Sequence, residues 1–88
     1  MATISFTRSA KGVYVGTFTA TENFNLHVEG NGAPFSVWQK MDGATSYSKI
    51  AECDGVFDRD IVGSVWPKSI MIESEKEPAE AIYKGESE

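Results

Sequence analysis

The sequence has few of the residues that form cross-links, metal centres or membrane segments. Its 88 residues include one cysteine, Cys53, and one histidine, His27. A single cysteine excludes an internal disulfide framework and a cysteine-based zinc finger. No apolar run approaches the roughly 18–20 residues of a membrane-spanning helix, and Met1 is not followed by the basic and apolar regions of an export signal. We therefore expect a soluble domain stabilised by burial of apolar side chains.

Positive charge is also scarce. Eight lysines and arginines stand against thirteen aspartates and glutamates, which gives a net charge of −5. Residues 73–88 contain six of the acids and two of the bases. This balance disfavours binding to nucleic acid or to anionic lipid membranes, so neither is expected as a partner. A nucleic-acid-binding barrel would require one stripe of basic residues, formed by Arg8, Lys11, Lys40 and Lys49.

Hydrophobic alternation dominates the chain. Phe24, Leu26 and Val28 are apolar and the residues between them are polar, which gives one apolar and one polar face at the two-residue period of a strand. Similar runs, rich in residues of high strand propensity, predict eight short strands: 4–7, 13–19, 23–28, 35–40, 47–52, 56–61, 67–73 and 79–84.

Turn-forming residues separate these runs. Asp42-Gly43 and Asp54-Gly55 predict hairpins, because type I′ turns need residues that tolerate positive φ. The composition of residues 73–86 favours a helix, but Pro78 would break it. We therefore predict a hairpin tip at Glu77-Pro78 in place of a helix.

Short strands with evenly spaced turns are typical of small sandwiches. The sequence predicts an all-β fold, a single small antiparallel β-sandwich of immunoglobulin-like or jelly-roll-like type with about seven to eight short strands. The domain would occupy residues 1–84, and residues 85–88 would form a frayed acidic tail.

Candidate catalytic groups are few. A Ser–His or Cys–His arrangement would have to use His27, which lies on the polar side of its strand, and the sequence has no Gly-x-Ser-x-Gly motif. Cys53 lies between Glu52 and Asp54, whose negative charge disfavours the thiolate that a nucleophile needs. The glycine-rich loop at 30–34 lacks the phosphate-binding spacings. We therefore expect no catalytic residue, no cofactor and no enzyme activity.

Acidic residues cluster around the Asp54-Gly55 turn. A calcium site needs several oxygens that converge from one loop, and Asp58 and Asp60 would share one face of a strand. However, the spacing does not fit the calcium-loop pattern, and Arg59 adds a competing cation. We therefore expect a solvated surface and no metal site from these acids: Glu52, Asp54, Asp58 and Asp60.

The two tryptophans are the remaining candidates for function. Trp66 precedes a predicted strand, and we expect it in the core. Trp38 lies on the opposite side of its strand from Phe35 and Val37, so a core position and a surface position are both open for it, with the core favoured over a ligand platform. Because exposed aromatic side chains are enriched at protein interfaces, we predict a protein contact that includes Trp38 and Met41.

Four motifs follow one another in an informative order. Phe24-x-Leu26-x-Val28 is followed by Val37-Trp38, by Asp42-Gly43 and by the strand Pro67–Ile72. This layout, over about residues 13–84, resembles the small β-sandwich virion proteins of tailed bacteriophages. These include the capsid decoration, head-fibre and tail-associated proteins.

The resemblance implies a non-enzymatic structural protein that docks on a repeating protein lattice, through an exposed apolar patch or an edge strand. Its partners would be other virion or capsid proteins, with homo-oligomers as a further option. It would assemble in the host cytoplasm and reside in the virion. The alternative is a carbohydrate-binding or adhesion-type β-sandwich. That function needs two or more coplanar exposed aromatics beside polar groups such as Asn25 or Gln39.

Overall fold

The computed structural model describes all 88 residues and consists of strands and turns. It contains no helix of the length and apolarity needed to cross a membrane. The nine strands are β1 (Ala2–Thr3), β2 (Thr7–Arg8), β3 (Tyr14–Ala20), β4 (Phe24–Glu29), β5 (Phe35–Met41), β6 (Ser48–Cys53), β7 (Val56–Ile61), β8 (Lys68–Ser74) and β9 (Glu80–Gly85). Seven of them lie within one residue of a predicted strand.

The strands form two antiparallel sheets that pack face to face. Sheet A has the order β1-β9-β4-β7, and sheet B has the order β2-β3-β8-β5-β6. The predicted all-β sandwich is therefore confirmed. The composition of residues 73–86 did not produce a helix, since these residues contain the end of β8 and all of β9.

The strand pairs are nested along the chain. β5 pairs with β6, β4 with β7, β3 with β8 and β1 with β9. Such nesting is a long antiparallel hairpin folded over into two layers, which is the jelly-roll arrangement. An immunoglobulin sandwich would instead place its first, second, fourth and fifth strands in one sheet. The topology therefore selects the jelly roll from the two predicted types.

Alternation in the strands builds one core between the sheets. Leu26 and Val28 of sheet A are fully buried, as are Ile70 and Ile72 of sheet B. They belong to a cluster of twelve buried apolar residues from both sheets and the N-terminal segment: Ile4, Ala20, Phe24, Leu26, Val28, Phe35, Val37, Phe57, Ile61, Ile70, Ile72 and Ala81. Because each strand turns its other side chains outward, the two outer faces are available for function.

Two of the predicted hairpins are wrong. Asp54-Gly55 joins β6 of sheet B to β7 of sheet A, and Glu77-Pro78 lies between β8 and β9, which also belong to different sheets. Asp42-Gly43 does connect paired strands. However, only glycines have positive φ, including Gly43 at 89° and Gly55 at 110°, so neither Asp-Gly pair forms a type I′ turn. Turn residues reveal where the chain reverses, but not which sheet it enters next.

The predicted strand at residues 4–7 is also wrong. The N-terminal segment leaves sheet A after Thr3 and enters sheet B at Thr7. Between them Ile4 is buried, and its backbone N–H donates to the Ala81 carbonyl at 2.9 Å. The alternation of residues 4–7 therefore reflects a crossing between the sheets, which closes one flank of the sandwich.

The C-terminal residues fold back onto the domain. Gly85, at the start of the predicted frayed tail, is the last residue of β9 and pairs with Phe24. The Ser87 backbone N–H and hydroxyl donate to Glu22 Oε2 at 3.2 Å and 2.7 Å, and the Glu88 carboxylate bonds the amino group of Met1. The ordered strand thus extends one residue past the predicted domain boundary at residue 84.

Candidate functional site

Both full-length unpaired edges lie on one flank of the sandwich. β7 is the edge of sheet A, β6 is the edge of sheet B, and only Asp54 and Gly55 separate them along the chain. The opposite flank is covered by the short strands β1 and β2. An edge strand is a template for pairing with another chain, so this flank is the first place to consider for a partner.

The two free edges carry features that oppose strand addition. β7 has three consecutive charged residues, Asp58, Arg59 and Asp60. β6 is irregular, because Val37 pairs with Ala51 while Trp38 pairs with Lys49, and the register shifts between them. Charges and bulges on edge strands are the means by which sheets avoid edge-to-edge association. The outer faces are therefore better suited to contacts than the edges.

Trp38 lies in the middle of β5, on the outer face of sheet B. Strand register places Met71 of β8 on one side of it and Lys49 of β6 on the other. The Lys49 ammonium lies 5.4 Å from the centre of the indole ring, and the indole N–H donates to Ser36 Oγ at 2.8 Å. Trp38 is half-buried although it does not belong to the core. We call Trp38, Met71, Lys49 and Ser36 the Trp38 patch.

Met41, the second predicted contact residue, lies apart from this patch. It ends β5, pairs with Lys68 and is 57% exposed. It follows Trp38 by three residues, so strand alternation puts it on the other side of β5. The structure therefore brings Met71, which sequence reasoning missed, next to Trp38 in place of Met41. The missed signal is the alternation of Ser69, Met71 and Glu73 with the buried isoleucines of β8.

Trp66 packs against the core. Its ring lies 6.2 Å from that of Phe24 in an edge-to-face arrangement, and its indole N–H donates to the Gly63 carbonyl at 3.2 Å. The bond between Trp66 and Pro67 is cis. The two tryptophans therefore do not form one platform, and none of the three aromatic pairs includes Trp38.

The basic residues do not form one stripe either. Arg8 lies on β2, at one edge of sheet B, whereas Lys49 lies on β6 at the other edge. Four strand spacings of about 4.8 Å separate these edges. The register also puts Arg8 and Lys40 at opposite ends of the sheet.

The outer face of sheet A is polar and has His27 near its centre. His27 Nδ1 lies 2.8 Å from Asp58 Oδ2, and His27 Nε2 lies 3.0 Å from Glu29 Oε2. These bonds, with Glu29 first and Asp58 second, raise the pKa of His27 above its ordinary value. Asn25 Nδ2 donates to Asp58 Oδ1 and to Asp60 Oδ1, each at 3.0 Å. The Asn25 bond, followed by the His27 bond, lowers the pKa of Asp58.

The acids predicted to surround Gly55 are distributed between the two sheets. Asp58 and Asp60 do share one face of β7, as predicted, since both accept from Asn25. Glu52 instead lies on sheet B, where Lys49 Nζ donates to its carboxylate at 2.7 Å. These acids therefore do not converge on one loop site. Sequence reasoning missed Glu29, which follows His27 by two residues on β4, and Glu80, which lies beside them only because β4 pairs with β9.

Cys53 and His27 have separate surroundings. Cys53 is half-buried at the end of β6, packs against the core and donates its thiol to the Val56 carbonyl at 3.4 Å. His27 is on the other sheet and bonds only carboxylates. These two side chains therefore do not form a nucleophile–base pair.

No protein-family model, curated protein or solved structure matches the chain. Jelly rolls occur both in viral capsid domains and in lectin domains, and one fold supports many functions. The choice between functions therefore depends on the side chains of the outer faces.

Proposed function

We propose that the protein is a non-enzymatic virion structural protein of a tailed bacteriophage, of the capsid decoration, head-fibre or tail-associated type. It docks on a repeating protein lattice through the Trp38 patch. The supporting observation is the placement of a half-buried tryptophan on the outer face of sheet B, between Met71 and Lys49. Tryptophan and methionine are enriched at protein interfaces, and tryptophan at their energetic centres.

The character of the edges supports docking by a face. The charged β7 and the irregular β6 disfavour an added strand, which leaves side-chain contacts as the means of attachment. Many copies on a repeating lattice would strengthen the attachment, because a second contact made by a linked copy becomes intramolecular.

Co-sedimentation tests this proposal. The purified protein is mixed with intact and with disassembled particles of the phages carried by the source organism. We expect the protein to sediment with particles or their subunits, and W38A to reduce the bound fraction at constant concentration by at least tenfold, as loss of a central interface tryptophan does. V62A is the matched control, because Val62 is 73% exposed and lies outside the patch.

Two outcomes would contradict the proposal. One is failure of the wild-type protein to sediment with either preparation. The other is equal loss of binding in W38A and V62A, which would place the contact elsewhere. A denaturation curve for each variant shows whether a loss of binding comes from unfolding.

A carbohydrate-binding function is the alternative. One observation favours it, namely the half-buried indole of Trp38 beside the hydroxyl of Ser36, since lectin sites combine an aromatic face with polar groups. The absence of a second aromatic ring stacked beside Trp38 disfavours it. Titration of W66F with oligosaccharides, followed by Trp38 fluorescence, decides the matter. Saturable quenching by an oligosaccharide would support sugar binding, and an unchanged spectrum would exclude it for the sugars tested.

A further inference from the structure

A second group of side chains lies on the opposite side of the sandwich from the Trp38 patch. His27 and Glu29 are two residues apart on β4 and therefore point outward from the same face of sheet A. Glu80 of β9 lies directly opposite Glu29 in the strand register. One ligand atom from each of the three side chains lies within 4.8 Å of the others.

We propose that His27, Glu29 and Glu80 form a binding site for a zinc-like divalent cation on the outer face of sheet A. The three donors are one imidazole nitrogen and two carboxylate oxygens, a set that zinc accepts while leaving a fourth position for water. This inference is independent of the docking function, which concerns the other sheet.

The surroundings of His27 orient it as a ligand. Asp58 holds Nδ1 at 2.8 Å, which leaves Nε2 on the side of Glu29 at 3.0 Å. Asp58 is itself held by Asn25 at 3.0 Å. A carboxylate that accepts from the far nitrogen of a metal-binding histidine fixes its tautomer and increases its basicity. Asp58 is therefore a positioning residue, and Nε2 is the nitrogen that faces the cation.

The negative charges around the site favour a bound cation. Like charges directly opposite on neighbouring strands destabilise a sheet, and Glu29 faces Glu80 in this way. Glu80 has no side-chain hydrogen bond and belongs to none of the four ion pairs in the molecule. Even a protonated His27 brings one positive charge to a site surrounded by Glu29, Glu80 and Asp58. A divalent ion between the two glutamates would remove their repulsion.

The donor set also selects the type of ion. Imidazole suits zinc, copper, nickel and iron, whereas calcium and magnesium prefer oxygen ligands alone. A histidine among the three donors therefore favours a first-row transition metal over calcium. An acidic surface that merely attracts cations would show no such preference.

Calorimetric titration of the untagged protein with ZnCl2 tests the proposal, with CaCl2 as the comparison ion. We expect one zinc per chain and a rise in Tm with zinc, because a ligand that binds only the folded state stabilises it. H27Q and E80Q should each weaken zinc binding at least tenfold. Glu80 is exposed, and His27 is half-buried on the outer face of sheet A and does not belong to the core, so neither change should prevent folding.

Two controls distinguish this site from other zinc ligands. E86Q removes an exposed carboxylate just beyond the other end of β9 and should leave zinc affinity unchanged. C53S should also bind zinc like the wild type, because Cys53 lies on the other sheet. The proposal is overturned by the absence of saturable zinc binding, by H27Q or E80Q binding as tightly as the wild type, by loss of binding in C53S, or by equal affinity for calcium.

Discussion

The two sheets share one core but present outer faces of opposite chemistry. On sheet A the outward side chains surround His27 with carboxylates. On sheet B they surround Trp38 with a thioether and an ammonium group. The inner faces of both sheets supply the residues of the apolar core. Alternate side chains of a strand point to opposite faces of the sheet. The inner residues can therefore specify the fold while each outer face acquires its own function.

Large-to-small substitutions on the two inner faces test whether both sheets contribute equally to the core. They should have the largest effects on the free energy of unfolding. Leu26 of sheet A and Ile72 of sheet B are both fully buried. We expect L26A and I72A each to lower the free energy of unfolding by about 2–5 kcal/mol, measured by urea denaturation at one pH. A near-neutral result for either variant would show that its sheet does not contribute to a shared core.

The next largest effect is expected where the N-terminal segment crosses between the sheets. A Cβ added at Gly16 would lie 2.8 Å from Ile4 Cγ2 and 2.9 Å from Phe6 Cε2. G16A should therefore lower the free energy of unfolding by about 1–3 kcal/mol through overpacking. G63A is the matched control, because its Cβ would meet only the movable ammonium of Lys68 at such a distance. Equal effects in the two variants would mean that the N-terminal segment is loosely packed against sheet B.

The fold could be predicted from the sequence as far as local alternation reaches. β7 was predicted at its observed bounds, and the apolar side of β4 is the buried one. The pairing of the strands could not be predicted, because alternation fixes which side chains point inward but not which strand is the neighbour. Asp54-Gly55 illustrates this limit, since the same turn residues serve a hairpin or a crossing between sheets.

The candidate sites show the same limit. Alternation placed Trp38 on the opposite side of its strand from Phe35 and Val37, but it did not decide whether that side is exposed. The environment of His27 could not be predicted, because Asp58 and Glu80 reach it across strand pairs that are distant in sequence. The sequence shows His27 and Glu29 two residues apart, but they form a candidate metal site only when β9 supplies Glu80 as the third side chain.

The pH dependence of stability should distinguish the two outer faces. The pKa of His27 is raised in the folded state, so its contribution is complete below the ordinary value of 6.5 and is lost as pH rises through the folded pKa. The pKa of Asp58 is lowered, so its contribution is present above 3.8 and is lost as pH falls through the folded pKa. The stability gap between wild type and H27Q should therefore be wider at pH 5.5 than at pH 8.5.

Denaturation in EDTA at both pH values measures this gap without bound metal. W38F is the comparison, because the side chains around Trp38 on sheet B include no histidine. Its stability difference from wild type should be nearly the same at the two pH values. A gap for H27Q that widens with increasing pH would have the wrong sign and would show that the carboxylates do not hold the imidazolium.

The smallest effect is expected at Lys49, the partly exposed member of the Trp38 patch. K49A removes the ammonium 5.4 Å from the indole centre, and a cation–π contact at an exposed site contributes about 0.5–1 kcal/mol. Its ion pair with Glu52 adds little, because both groups are solvated. The Lys49 hydrogen bond lowers the pKa of Glu52, so K49A should raise that pKa toward its ordinary value in an NMR titration. K11A, at an exposed turn near the opposite edge of sheet B, should change neither the free energy of unfolding nor the pKa of Glu52.

A loss of unfolding free energy in K49A as large as that of the core variants would contradict this prediction. It would mean that Lys49 completes the packing of Trp38, and that the patch is part of the folded core structure in place of a docking surface.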